Sequence, residues 1–286
     1  MLFRGSCRWQ VLAEHGESCL AIFRATLDPS RSPDLRIAQL ALLCTVIQAA
    51  RPNPDEAAPQ GGGSDRRALQ ETLHSLALPI ITDVILPNLT WRAGHVASTI
   101  RKVAMACLHE GTVSEVFDGH VLFLAIARLL PVLKTTLSDD DAATRHLSCL
   151  FLHRGLAALE EKMDGDFGRQ LFPDIVKRLD DSDDRVRLVT CDVLAAFLRV
   201  APASHMRGSP VEYITDALLL HADDQDPAMQ AAATAALDTC VAIDPAYVLR
   251  QARASRTKHR SPDICDRVAQ RALEAQEAAG EEGGSS

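Results

Sequence analysis

Leu171–Val200, LFPDIVKRLDDSDDRVRLVTCDVLAAFLRV, holds two apolar helical patterns separated by an acidic stretch. Leu171, Ile175, Val176 and Leu179 recur at helical spacing in its first half, and Val186, Val189, Val193, Leu194 and Phe197 in its second. Between them lies Asp180-Asp181-Ser182-Asp183-Asp184. Aspartate and serine favour a turn followed by a helix N-terminus, where unpaired N–H groups and the helix dipole attract acceptors. The reading is an antiparallel helix pair with a short connection. Such a pair has two apolar faces and cannot bury both alone.

The layout recurs in both directions from this stretch. Leu86-Pro87, Leu130-Pro131 and Phe172-Pro173 are expected to open corresponding segments, and an arginine follows each proline fourteen residues on: Arg101, Arg145 and Arg187. Cys107, Cys149 and Cys191 repeat at intervals of 42 residues. A period near this value, with two helices per unit, predicts an all-α fold, an α-solenoid of HEAT-type antiparallel helix pairs, about six in number. A composition 47% hydrophobic but only 4% aromatic suits close packing between helices.

Residues 1–50 read as a partial or first repeat: a helix over 1–27 marked by Trp9, Leu12, Leu20, Phe23 and Leu27, then a second helix that Asp34 can cap. Arg36 holds there the place that Arg101, Arg145 and Arg187 hold in their helices. No polar capping helix precedes this pair, so the array is expected to continue ahead of residue 1, the chain being a fragment, a short isoform or a shortened gene product. Residues 51–66, RPNPDEAAPQGGGSDR, oppose helix and strand alike and predict a flexible loop. Residues 67–277 form the solenoid proper. Pro79 and Pro87 are expected to disturb the first helix after the loop, Val96 to Leu108 to line its partner, and Gly111 to close it. Gln230 replaces the repeated arginine in the fifth pair. The polar last pair is a C-terminal cap, and residues 278–286 are expected to be a disordered tail.

The formal net charge of −8 argues against a general nucleic-acid or anionic-membrane surface. Val121–Leu133 is interrupted by Arg128 and too short to span a bilayer, and Met1–Leu20 lacks the apolar core of a secretory signal. The eight cysteines show no paired zinc spacing and read as buried thiols of a reducing compartment, which places the protein in the cytosol or nucleus. The aspartate runs at 139–141, 180–184 and 223–226 lack the alternation and glycine of a calcium loop and read as turns and caps. No phosphate loop, nucleophile elbow or HExxH motif is present, so the chain reads as non-enzymatic, without catalytic residue, metal or cofactor.

The positions that stand out are therefore structural or interactive. Arg36, Arg101, Arg145 and Arg187 are expected to form a ladder whose members bond the acidic turns or carbonyls of neighbouring repeats, with Asp180 and Asp181 as turn residues. Trp91 and Arg92 are candidate interface anchors, and Lys258, His259 and Arg260 a candidate basic contact for an acidic partner.

Four segments add a resemblance. VILPNLTWRAGHVASTIRKVAMACL (84–108), LLPVLKTTLSDDDAATRHLSC (129–149), LFPDIVKRLDDSDDRVRLVTCDVLAAFL (171–198) and KHRSPDIC (258–265) together resemble, in order, the C-terminal part of the HEAT-repeat dynein axonemal assembly factors. The resemblance implies a cytoplasmic, non-catalytic scaffold for preassembly of the dynein arms of motile cilia, with axonemal dynein chains and chaperones or co-chaperones as partners. A HEAT adaptor of another class, a phosphatase or transport scaffold, is the alternative.

Overall fold

The computed structural model describes residues 14–52, 63–159 and 165–283. No strand occurs among them, and the chain divides into two compact units, Met1–Leu159 and Glu160–Ser286.

Unit 1 contains α1 (Gly16–Thr26), α2 (Pro33–Ala49), α3 (Gly63–Ser75), α4 (His95–Val113), α5 (Gly119–Thr136) and α6 (Ala142–Leu159). Trp9 and Leu12 lie outside the described residues, whereas Leu20 and Leu27 are buried as expected of the first helix. Ser32, rather than Asp34, caps α2: its hydroxyl accepts the Leu35 N–H, leaving Asp34 in the first turn beside the positive end of the dipole. α3 begins at Gly63, inside the stretch expected to be a loop, because Ala68, Leu69, Gln70 and Glu71 favour helix once the glycines end. Residues 53–62 of that stretch lie outside the described residues.

The expected proline disturbance is present. After Ser75 the chain bends by 66° and continues as a helical turn (Ala77–Pro79), a π-helical turn (Ile80–Ile85) and a 3-10 turn (Leu86–Leu89). Pro79 has no N–H to offer the Ser75 carbonyl, and its ring crowds that carbonyl, so the α-helical ladder breaks there. Pro131 and Pro173, by contrast, lie inside helices and do not open them. Gly111 does not close α4 either. The helix runs on to Val113, and Gly111 sits beneath Phe117, whose ring would lie 2.0 Å from an added Cβ. Val96, in the first turn of α4, is exposed, and the buried face starts at Ile100.

The second helices α2, α4 and α6 pack in succession, and the bent 77–89 segment packs on α5. α5 is 18 residues long and is the one described helix long and apolar enough to cross a membrane; Val121, Leu122, Ala125, Leu129 and Leu133 bury its inner face within the unit.

Unit 2 contains α7 (Gly165–Val176) with a 3-10 extension (Lys177–Asp180), α8 (Asp184–Val200), α9 (Ser209–His221), α10 (Pro227–Ile243), α11 (Pro245–Ser255) and α12 (Pro262–Gly283). The nine apolar residues named in the opening stretch are all 8% exposed or less, so both helical faces are buried as their spacing requires. Here too the second helices α8, α10 and α12 pack in sequence, with α7, α9 and α11 on the other layer. Asp183, Asp226 and Asp244 cap α8, α10 and α11 through Arg185, Ala228 and Tyr247 N–H groups. α12 packs through Ile264, Cys265, Val268 and Ala272 and extends to Gly283, past the boundary expected at 278, because Leu273–Ala279 is made of strong helix formers. Residues 284–286 lie outside the described residues. The architecture is thus an all-α array of helix pairs of the predicted kind.

Candidate protein-interaction surface

The repeated arginines are held by the polypeptide around them. Arg36 is 8% exposed and donates Nε and Nη2 to the Asn88 Oδ1 at 3.0 and 2.7 Å, while Asn88 donates to the Leu27 and Val84 carbonyls at 3.2 and 2.7 Å. Arg101 makes a bidentate pair with Asp139 of the next helix pair, Nε–Oδ2 2.5 Å and Nη2–Oδ1 3.1 Å. Its third nitrogen donates to the Arg92 carbonyl at 2.7 Å. Arg145 donates Nη1 to the Asp139 and Asp140 carbonyls, and Arg187 donates to the Leu179 carbonyl and to the Asp184 and Asp224 carboxylates. Gln230, in the arginine's place, keeps the same link by donating to the Asp224 carbonyl at 2.7 Å.

The acceptors repeat as well. Asp139, Asp181 and Asp224 each accept the N–H two residues on, from Asp141, Asp183 and Asp226. One aspartate thus folds the turn and, at Asp139 and Asp224, receives the preceding pair's arginine. Asp181 is buried and also pairs with Arg178 at 2.8 Å. Asp180 differs: its side chain is 78% exposed and lies 3.3 Å from His221 Nε2. Burial holds His221 below the ordinary histidine value despite that carboxylate. Asn88 was not legible as an Arg36 partner, since it carries no charge and follows a proline in an irregular turn.

Trp91 and Arg92 lie in the turn before α4, and Trp91 is 51% exposed. The Arg101 guanidinium lies 6.0 Å from the indole centroid, so one cation joins the buried Asp139 to the exposed ring. Lys258, His259 and Arg260 sit between α11 and α12. Arg260 is occupied: its N–H donates to Asp223 Oδ1 at 2.7 Å, and its guanidinium reaches the Asp223 carbonyl and carboxylate. His259 Nδ1 is 3.2 Å from the Cys265 sulfur, and Lys258 is exposed. The structure therefore separates this cluster into pinned and outward-facing members.

The repeated thiols are core atoms. Cys107, Cys149 and Cys191 are at most 1% exposed, and burial pushes the Cys191 thiol up to about 12. No group of three or more His, Cys, Asp or Glu placed to hold a metal occurs among the described residues.

A surface missed by the sequence reading lies on α7, α9 and α11. Phe172 and Tyr213 meet edge to face with centroids 6.2 Å apart, and Tyr247 donates its hydroxyl to Asp216 at 3.0 Å. Phe172 and Tyr213 are 41 residues apart, close to the repeat interval, and that spacing was the available signal.

The comparison with curated proteins covers most of the chain. The chain is 29% identical over 261 residues to Dynein axonemal assembly factor 5 of Xenopus laevis, covering 90% of this chain and 30% of that protein. The human protein of the same name is 30% identical over 250 residues, covering 86% of this chain and 28% of its own length. By sequence the chain is similar to dynein axonemal assembly factor 5. It matches the C-terminal part of those longer proteins and spans about 30% of their length. No protein-family model matches the chain. Among solved structures it is similar to an engineered protein (TM-score 0.61, 14% identity, 91% of this chain and 96% of the other). A designed armadillo repeat protein is also similar (TM-score 0.60, 16% identity, 90% and 99%). So is the karyopherin Kap121p bound to Nup53p (TM-score 0.54, 13% identity, 95% and 31%). At such identities these likenesses show the solenoid fold alone.

Proposed function

We propose that this chain is a non-catalytic solenoid scaffold acting in the cytoplasmic preassembly of axonemal dynein arms. The observation that carries the reading is the match to dynein axonemal assembly factor 5 along 86–90% of the chain. The physical form supports it. Helix pairs are linked by buried or part-buried arginine–aspartate contacts, and repeated pairs of this kind suit holding a large client by many weak contacts. The partners in this reading are axonemal dynein chains and the chaperones or co-chaperones that fold them. Trp91, Arg92 and Lys258, all exposed, are the proposed contact points, because tryptophan and arginine contribute most per residue at interfaces.

Affinity capture of the chain from cells building motile cilia, with partners identified by mass spectrometry, tests the reading. Enrichment of axonemal dynein chains is the expected result. Recovery of phosphatase or nuclear-transport components in their place overturns the assembly role and leaves only the solenoid.

A further inference from the structure

The aromatic surface of unit 2 is a groove of about 500 Å³ lined by Phe172, Pro173, Glu212, Tyr213, Asp216 and Tyr247. The chain has two tyrosines, and both are here. Tyr213 is 53% exposed, an unusual position for a large ring in a chain with so few aromatics. Glu212 and Asp216 stand one turn apart on α9, on the same side as Tyr213. Among the described residues neither carboxylate has a cationic side chain within ion-pair distance. One ring already shows what the surface attracts: the exposed Arg250 guanidinium lies 4.9 Å from the Tyr247 centroid.

We infer that this groove binds an arginine side chain carried by an extended segment of a partner protein. A guanidinium is flat enough to lie on the open face of Tyr213 and can donate at once to Glu212 and Asp216, whose charge it completes. Its fork matches paired carboxylate oxygens, and it sheds water more readily than an ammonium, so arginine fits this mixture of rings and acids better than lysine. Pro173 and Phe172 supply a wall for the aliphatic stem. An acidic or wholly apolar segment would leave the charge of Glu212 and Asp216 without a cation, the Tyr247 hydroxyl being the one hydrogen-bond donor Asp216 already has among the described residues. The inference goes beyond the assembly role and does not depend on it. Its test uses a peptide, so a capture experiment without dynein leaves it standing, and a failed peptide titration leaves the assembly reading standing.

The experiment is a fluorescence-anisotropy titration of the whole chain into a labelled short peptide of alternating glycine and arginine. The same peptide with citrulline for arginine keeps the shape and removes the charge. The expected result is binding about tenfold tighter to the arginine peptide, lost by about the same factor in Tyr213→Ala and retained in Tyr213→Phe, which keeps the ring. The double variant Glu212→Gln with Asp216→Asn should weaken binding and flatten its salt dependence. Tyr213 and Asp216 are exposed and Glu212 is half-buried, and thermal melting of each variant checks that the fold is kept. Equal binding of the two peptides, or full binding by Tyr213→Ala, overturns the inference. Sedimentation of the chain alone addresses another occupant: a dimer that disappears in Tyr213→Ala would assign the groove to a second copy and overturn the foreign partner.

Discussion

Arg101 and Asp139 lose nearly all contact with water, their side chains being 3% and 1% exposed. Two charges in that position are tolerated only as a pair with their remaining hydrogen bonds met. Here they are met, by the Arg92 carbonyl on one side and the Asp141 N–H on the other. Asp139→Asn isolates the charge, since an amide oxygen can still accept the Asp141 N–H while the guanidinium loses its counterion. The expected cost is about 3–5 kcal/mol of stability. Asp83→Asn is the comparison, because the Arg24–Asp83 pair is about 40% exposed on both sides and is worth at most about 1 kcal/mol. Chemical denaturation of the two variants decides the matter. Similar, small losses in both would show that the arginine ladder decorates the helix pairs and does not hold them together.

At the scale of the element, α5 is fixed by its first residue. Gly119 follows the capping Asp118, and a Cβ built on it would stand 1.9 Å from the Ala158 carbonyl oxygen at the end of α6. The obstacle is backbone, so it cannot rotate aside. Gly119→Ala should therefore lower stability by about 1–3 kcal/mol although alanine is the better helix former. A neutral or stabilised variant in thermal melting would mean that the start of α5 is loosely held. None of this was legible in the sequence, where Gly119 looks like an ordinary helix boundary. What was legible came from periodicity. Leu179, Val193 and Phe197 are buried because a helix repeats every 3.6 residues, and Arg101, Arg145 and Arg187 occupy equal places because the pair repeats. What escaped was contact between distant residues of unlike kind. Asn88 beneath Arg36, and Phe172, Tyr213 and Tyr247 around one groove, depend on how neighbouring pairs stack, and a single chain read in order does not carry that information. Local exceptions escaped as well: Pro131 and Pro173 sit within helices where proline would ordinarily end them.

For the whole molecule the consequence of a repeat architecture is that stability is built from single pairs and their nearest neighbours, with few contacts between distant parts of the sequence. Damage should then stay local, unlike in a domain with one central core. Leu194 tests this, because it is fully buried on α8 and an aspartate there must either bury its charge or open the helix. Leu194→Asp should cost more than about 4 kcal/mol at its own pair, enough to unfold it. Hydrogen exchange followed by mass spectrometry would show the pattern directly. The expected outcome is loss of protection across α7–α10 while α2 and α4, built around Leu40, Ile47, Met105 and Leu108, stay protected. Uniform loss along the chain would mean that the pairs fold as one cooperative body, and a surface spread over several pairs would then bind or fail as a whole. With local loss, Leu194→Asp would remove the aromatic groove on α7, α9 and α11 and spare Trp91, so one variant would tell which of the two surfaces a captured client needs.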